Sequence, residues 1–200
     1  MLWTIFLVGM LGTFGLNFPV VLTAMAKSTF GGDASTYGLF NIVLGLGSAA
    51  GAVLAGAATR SRTRTIVGAA AVFGILQAAA ALAPGIAVFL VLLAAMGFVN
   101  LVCQAMANSS VQLAVDPELR GRVMGLYMLV FIGGTPVGAP IVGAVTSHYG
   151  ARAGMLLCGV VPVLAAAVTA AALSARRRRA HTGATGLTDT GPIPLPAARA

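Results

Sequence analysis

The chain is 200 residues long, 58% hydrophobic and only 8% charged, with a formal net charge of +8 and a mean hydropathy of +0.97. A water-soluble domain carries roughly 25% charged residues, so a soluble globular fold is excluded. The basic residues are scattered along short segments and build no groove-binding face, which excludes nucleic acid as a partner.

Residues 1–26, 37–59, 65–115, 123–147 and 153–175 contain no Lys, Arg, Asp or Glu. A bilayer core of about 30 Å needs about 20 helical residues to cross it. Four of these stretches suit one crossing each. The fifth, 65–115, suffices for two helices, and Ala83-Pro84-Gly85 stands where it should break. The pattern predicts an all-α membrane protein with six spans at about 2–26, 37–59, 65–83, 86–113, 121–146 and 153–174. The lipid bilayer is therefore its first partner.

In span one, Ala24-Met25-Ala26 resembles a signal-cleavage site. No basic segment precedes it and the apolar run exceeds the usual 7–15 residues, so an uncleaved span is expected. Gly9, Gly12 and Gly15 recur here, and Gly47/Gly51 form a GxxxG pair in span two. Small residues at this spacing let helix backbones approach closely in lipid. Asn17 in span one, Asn41 in span two and Thr135 in span five are polar residues at membrane depth.

Span four is the most informative element. Asn100, Gln104, Asn108 and Gln112 recur every four residues. Each step advances about 6 Å and about 40° around a helix, giving a slowly winding stripe of amides. Interhelical hydrogen-bond glue is one reading of it. The other is the wall of a wet cavity, which Asn17, Asn41 and Thr135 could also face.

After span four comes Asp116-Pro117-Glu118-Leu119-Arg120-Gly121-Arg122. Asp116 is expected to cap a helix that has Pro117 in its first position and Glu118 in its first turn. Arg120 and Arg122 at span entry suit an ion-paired gate, as do Arg60, Arg62 and Arg64. After Arg176, Arg177, Arg178 and Arg179 the composition turns to Thr, Gly, Pro and Ala, so 176–200 reads as a basic, then disordered tail.

Topology follows from the loops. Nine basic residues follow spans two, four and six, against Lys27 and Arg152 in the opposite loops. The positive-inside rule then places both termini in the cytoplasm, in an inner (plasma) membrane. Trp3, Tyr37, Tyr127 and Tyr149 fall near predicted span ends, as aromatic belts require.

The spans hold no paired carboxylates, no Ser/His/Asp set and no Cys/His cluster, so no enzyme, cofactor or metal is expected. Cys103 and Cys158 read as apolar packing residues. With no Asp, Glu, Lys, Arg or His in the interior of any span, this chain carries no coupling carboxylate of the kind proton-driven systems use.

Three stretches resemble the second six-helix half of the major facilitator superfamily, in the branch of drug, macrolide and enterobactin-type exporters. Asn17-Phe18-Pro19, Ser35-Thr36-Tyr37-Gly38 and Gly45-Leu46-Gly47 resemble its seventh and eighth helices. The segment from Asp116 through Arg122 to Val123-Met124-Gly125 is similar to its loop entering the eleventh helix. Gly134-Thr135-Pro136-Val137-Gly138-Ala139-Pro140-Ile141-Val142-Gly143 resembles that helix itself. The resemblance covers residues 1–175. It implies a substrate cavity lined by spans one, two, four and five, alternating access, and bend points at Pro136 and Pro140. It also implies an amphipathic small-molecule substrate, with an N-terminal half as partner or, since such halves are parallel repeats, a second copy of the chain acting as a homodimer. The other expectation is a non-transporting truncated membrane protein or assembly partner. The Arg60-Ser61-Arg62-Thr63-Arg64 loop departs from the family in lacking its frequent Asp.

Overall fold

The computed structural model describes residues 2–57, 63–113 and 115–185, and no strand occurs among them. The chain order is α1 (Leu2–Met10), a π-helical turn (Leu11–Gly15), α2 (Phe18–Ala24), a second π-helical turn (Met25–Thr29), α3 (Ala34–Ala57), α4 (Thr63–Ala81), α5 (Ile86–Leu113), α6 (Arg120–Gly133), α7 (Thr135–Tyr149) and α8 (Ala151–Thr185). Six segments are long and apolar enough to cross a bilayer: Ile5–Thr29, Ala34–Ala55, Arg64–Ala81, Ile86–Leu113, Arg120–Tyr149 and Ala151–Ala175. The all-α, six-span expectation is met.

Helix ends follow local chemistry. The Asp33 carboxylate accepts hydrogen bonds from the Ser35 amide at 3.0 Å, the Ser35 hydroxyl at 2.6 Å and the Thr36 amide at 3.3 Å. It thereby satisfies donors that the start of α3 would otherwise leave free. Gly31 (φ 61°) supplies the left-handed residue that turns the chain into this cap. At the same end of the bundle, α4 stops ahead of Pro84, and Arg152 donates to the Ala83 carbonyl at 3.2 Å.

Spans one and five are each built from two helices, and proline is the reason. Pro136 stands in the first turn of α7, so the break falls at Gly134. In span one, Pro19 sits in the first turn of α2 and offers no N–H to the Gly15 carbonyl. Leu16 and Asn17 leave helical geometry there, and side chains take over the freed carbonyls. Asn17 Nδ2 donates to the Thr13 carbonyl at 2.6 Å, and Gln77 Nε2, from α4, donates to the Gly15 carbonyl at 3.4 Å. In lipid no water can do this, so a broken span needs polar neighbours.

Packing repeats an inverted pattern. Side chains at Gly47 and Gly51 of α3 would strike the Ala94 and Phe98 carbonyls of α5, while one at Gly97 would strike the Leu44 carbonyl. Span five meets span one in the same way. Side chains at Gly134 and Gly138 would strike Thr13, and one at Gly12 would strike the Phe131 carbonyl. Gly74 and Gly159 face each other where α4 crosses α8. Gly97 follows Gly12 by 85 positions, Gly159 follows Gly74 by 85, and Gly134 and Gly138 follow Gly47 and Gly51 by 87. Spans one to three and four to six are thus two copies of one three-helix unit, joined by glycine contacts that pack backbone on backbone.

Two expectations are corrected. Asp116 caps no helix: α6 begins at Arg120, its N-cap residue is Leu119, and no side chain bonds there. Residues 116–119 instead close a turn, with the Leu119 amide donating to the Asp116 carbonyl at 3.0 Å. Asp at the first and Pro at the second position favour that turn over a helical start. At the other end, α8 runs on to Thr185, so 180–185 are helical rather than part of a disordered tail. Residues 186–200 lie outside the described residues.

Candidate functional site

The end of the bundle that carries the 116–119 turn holds an open cavity of about 380 Å³. Its wall comes from three spans: Ala52 and Ala55 of α3, Leu101, Gln104, Ala105 and Asn108 of α5, and Tyr127, Met128 and Phe131 of α6. Alanines on α3 and α5 leave the space. Tyr127 and Phe131, one turn apart, stack at 6.0 Å with 15° between ring planes and form an aromatic wall. The Tyr127 side chain is buried in the protein.

The amide stripe resolves into two hydrogen-bonded pairs. Gln104 Nε2 donates to Asn100 Oδ1 at 3.0 Å, and Gln112 Nε2 donates to Asn108 Oδ1 at 2.9 Å. Only the middle two residues, Gln104 and Asn108, line the cavity. Asn100 is buried behind Gln104, and Gln112 backs Asn108. Pairing within one helix holds the lining amides in place, and among the described residues no hydrogen bond of the stripe reaches a neighbouring span.

The other polar residues lie elsewhere. Asn17 is buried at the span one–span five crossing, and Thr135 donates its hydroxyl to the Gly12 carbonyl there at 3.2 Å. Asn41 is exposed near the start of α3 and donates to the Tyr37 carbonyl at 2.8 Å. Eleven residues before Ala52, it stands about 16 Å along the helix from the cavity. Span one contributes no lining residue.

Arg120, Arg122, Asp116 and Glu118 are exposed around the cavity's end of the bundle, and no side-chain ion pair joins them among the described residues. Arg64 lines a separate pocket of about 320 Å³ between α4 and α8, with Val67, Gly68, Ala170, Leu173 and Ser174. Arg60 and Arg62 lie outside the described residues. Of the bend candidates, Gly134 and Pro136 mark the break, Pro140 lies inside α7, and Gly143 faces open space.

The opposite end of the bundle carries an open pocket of about 500 Å³ at the junction of spans one and two, with Lys27, Asp33 and Tyr37 in its lining. Phe30, Phe40 and Phe89, from spans one, two and four, form an aromatic cluster with centroids 4.8 to 5.9 Å apart. Phe40 and Phe89 are fully buried. Sequence reasoning passed over Gln77, which is fully buried with Oε1 unpartnered. A glutamine sharing a proline-broken neighbour's depth was the available signal. Among the described residues no group of three His, Cys, Asp or Glu could hold a metal.

Six apolar spans in one packed bundle define a multi-pass membrane protein, and two inverted three-helix units are a transporter architecture. The Major Facilitator Superfamily model matches residues 2–197, and the chain belongs to that family of transporters. Comparison with curated proteins and with solved structures returns no match.

Proposed function

We propose that the chain forms part of a secondary active exporter of amphipathic small molecules, of the drug, macrolide or siderophore type, working by alternating access in the plasma membrane. The observation that carries this reading is the cavity between spans two, four and five. It is mostly apolar, holds two positioned amides and an aromatic wall, and has the size of a small-molecule site. With both termini in the cytoplasm, the cavity opens inward, and the Phe30–Phe40–Phe89 cluster packs spans one, two and four together at the outer end. That geometry suits capture from the cytoplasm or inner leaflet. The exposed Asp116–Arg122 segment and Arg64 then stand at the inner mouth, where they could pair as the cycle closes it.

The cavity is open on the face of α3 and α6, beside exposed Val53, Leu54, Leu129 and Ile132. A second six-span body, either an N-terminal half or a second copy of the chain, would cover that face and supply the coupling group absent here. Cellular accumulation of a fluorescent amphiphile tests the reading. Gln104→Leu with Asn108→Leu should raise accumulation toward that of cells lacking the protein. Accumulation unchanged from the parent would return both amides to packing and remove the cavity from the path.

A further inference from the structure

We propose, resting on the cavity reading above, that this site selects uncharged substrates bearing an adjacent donor and acceptor, such as an aryl amide, and discriminates against quaternary cations. Hydrogen-bond inventory carries the inference. Gln104 spends one N–H on Asn100, and Asn108 accepts from Gln112 through Oδ1; among the described residues Gln104 Oε1 and Asn108 Nδ2 have no further partner. The cavity therefore presents an acceptor with one spare N–H at Gln104 and an amino group with one spare lone pair at Asn108, a single helical turn or about 6 Å apart. Turning both pairs over exchanges the two roles and leaves the same complement. A carbonyl beside an N–H or O–H on one ligand satisfies both groups at once.

Charge decides against cations. Among the described residues no lining residue is ionisable except the Tyr127 phenol, so an entering cation sheds its hydration shell with no carboxylate from these three spans to replace it. The Tyr127–Phe131 wall offers a ring face, yet cation–π attraction recovers only part of that loss. A quaternary ammonium also cannot donate, so it would leave Gln104 Oε1 unsatisfied in a partly desolvated site.

The test uses the full chain in nanodiscs and two probes of similar size, neutral benzanilide and cationic benzyltriethylammonium, titrated calorimetrically against empty nanodiscs. Benzanilide should bind at least about tenfold more tightly, the margin of one well-made hydrogen bond. Gln104→Glu should invert the order by placing a carboxylate at the acceptor position. Asn108→Asp serves the same purpose if the first variant fails to assemble. A wild-type chain that binds the cation as tightly as the amide overturns the selectivity while leaving the cavity as a binding site. If neither probe binds wild-type protein above empty nanodiscs, both the selectivity and the cavity reading fall.

Discussion

Gly138 and Gly143 lie five residues apart on α7, and the structure assigns them opposite responses to the same substitution. A Cβ on Gly138 would run into the Thr13 carbonyl oxygen and approach Asn17 Nδ2 at 2.9 Å, whereas at Gly143 no atom lies within 4 Å. Gly143→Ala should therefore gain helix propensity alone, stabilising by about 0.5–1 kcal/mol. Gly138→Ala gains the same term but must push spans one and five apart. Backbone cannot yield as a flexible side chain would, which puts the overpacking penalty near the top of the usual range, about 3 kcal/mol. Separation also stretches the Thr135 to Gly12 hydrogen bond, already 3.2 Å long, a loss of about 0.6 kcal/mol. Net destabilisation is then about 2–3 kcal/mol, and the two variants should differ by about 3 kcal/mol. At about 2–4 °C per kcal/mol for a chain of this size, their apparent Tm values in detergent should lie about 6–12 °C apart. Size-exclusion recovery after graded heating reads this directly. A Gly138→Ala protein as heat-stable as the parent would refute the backbone-on-backbone crossing of spans one and five.

Two further outcomes follow from the same reasoning about groups held out of water. Gln77→Leu orphans the Gly15 carbonyl but also removes the buried, unpartnered Oε1, so it should leave thermal stability within about 1 kcal/mol of the parent. Gln77→Ala adds a cavity and should lose about 2–4 kcal/mol. Adding Pro19→Ala to Gln77→Leu restores an N–H for Gly15; a double variant no more stable than Gln77→Leu alone would disprove the exchange of donors. At the α3 cap, the Ser35 hydroxyl, followed by the Thr36 and Ser35 amides, holds the Asp33 carboxyl below its ordinary value. A lowered folded-state pKa stabilises at pH values above the unfolded one, and the benefit fades as pH falls through the folded value. Heat stability of the parent should thus drop from pH 5 toward pH 3 by more than that of Asp33→Ala, and parallel acid profiles would dismiss the cap (about 4 being the ordinary carboxylate value).

What could be read in the sequence was whatever the bilayer enforces one residue at a time. Charge exclusion marks five stretches because each buried charge is penalised separately, wherever its helix packs, and Pro84 divides the longest of them into two spans. Gln104 and Asn108 stood out for the same reason. Their division of labour with Asn100 and Gln112 did not, because it depends on which face of α5 turns toward α3 and α6. Asn17, Asn41 and Thr135 share the chemistry of cavity residues yet sit apart from it, since polarity at depth is equally explained by a broken helix that needs its carbonyls filled. Gln77 belongs to that second class and was passed over because its partner, the Gly15 carbonyl of another span, is 62 positions away. The glycines mark the boundary most clearly. Their spacing of 85 to 87 positions was present in the sequence all along. It acquires meaning only when Gly47, Gly51 and Gly97 are seen closing one crossing and Gly12, Gly134 and Gly138 its mirror. An element whose role is to let two backbones touch has no side chain to announce it, and so the tightest contacts in this membrane protein are written in the residue that says least.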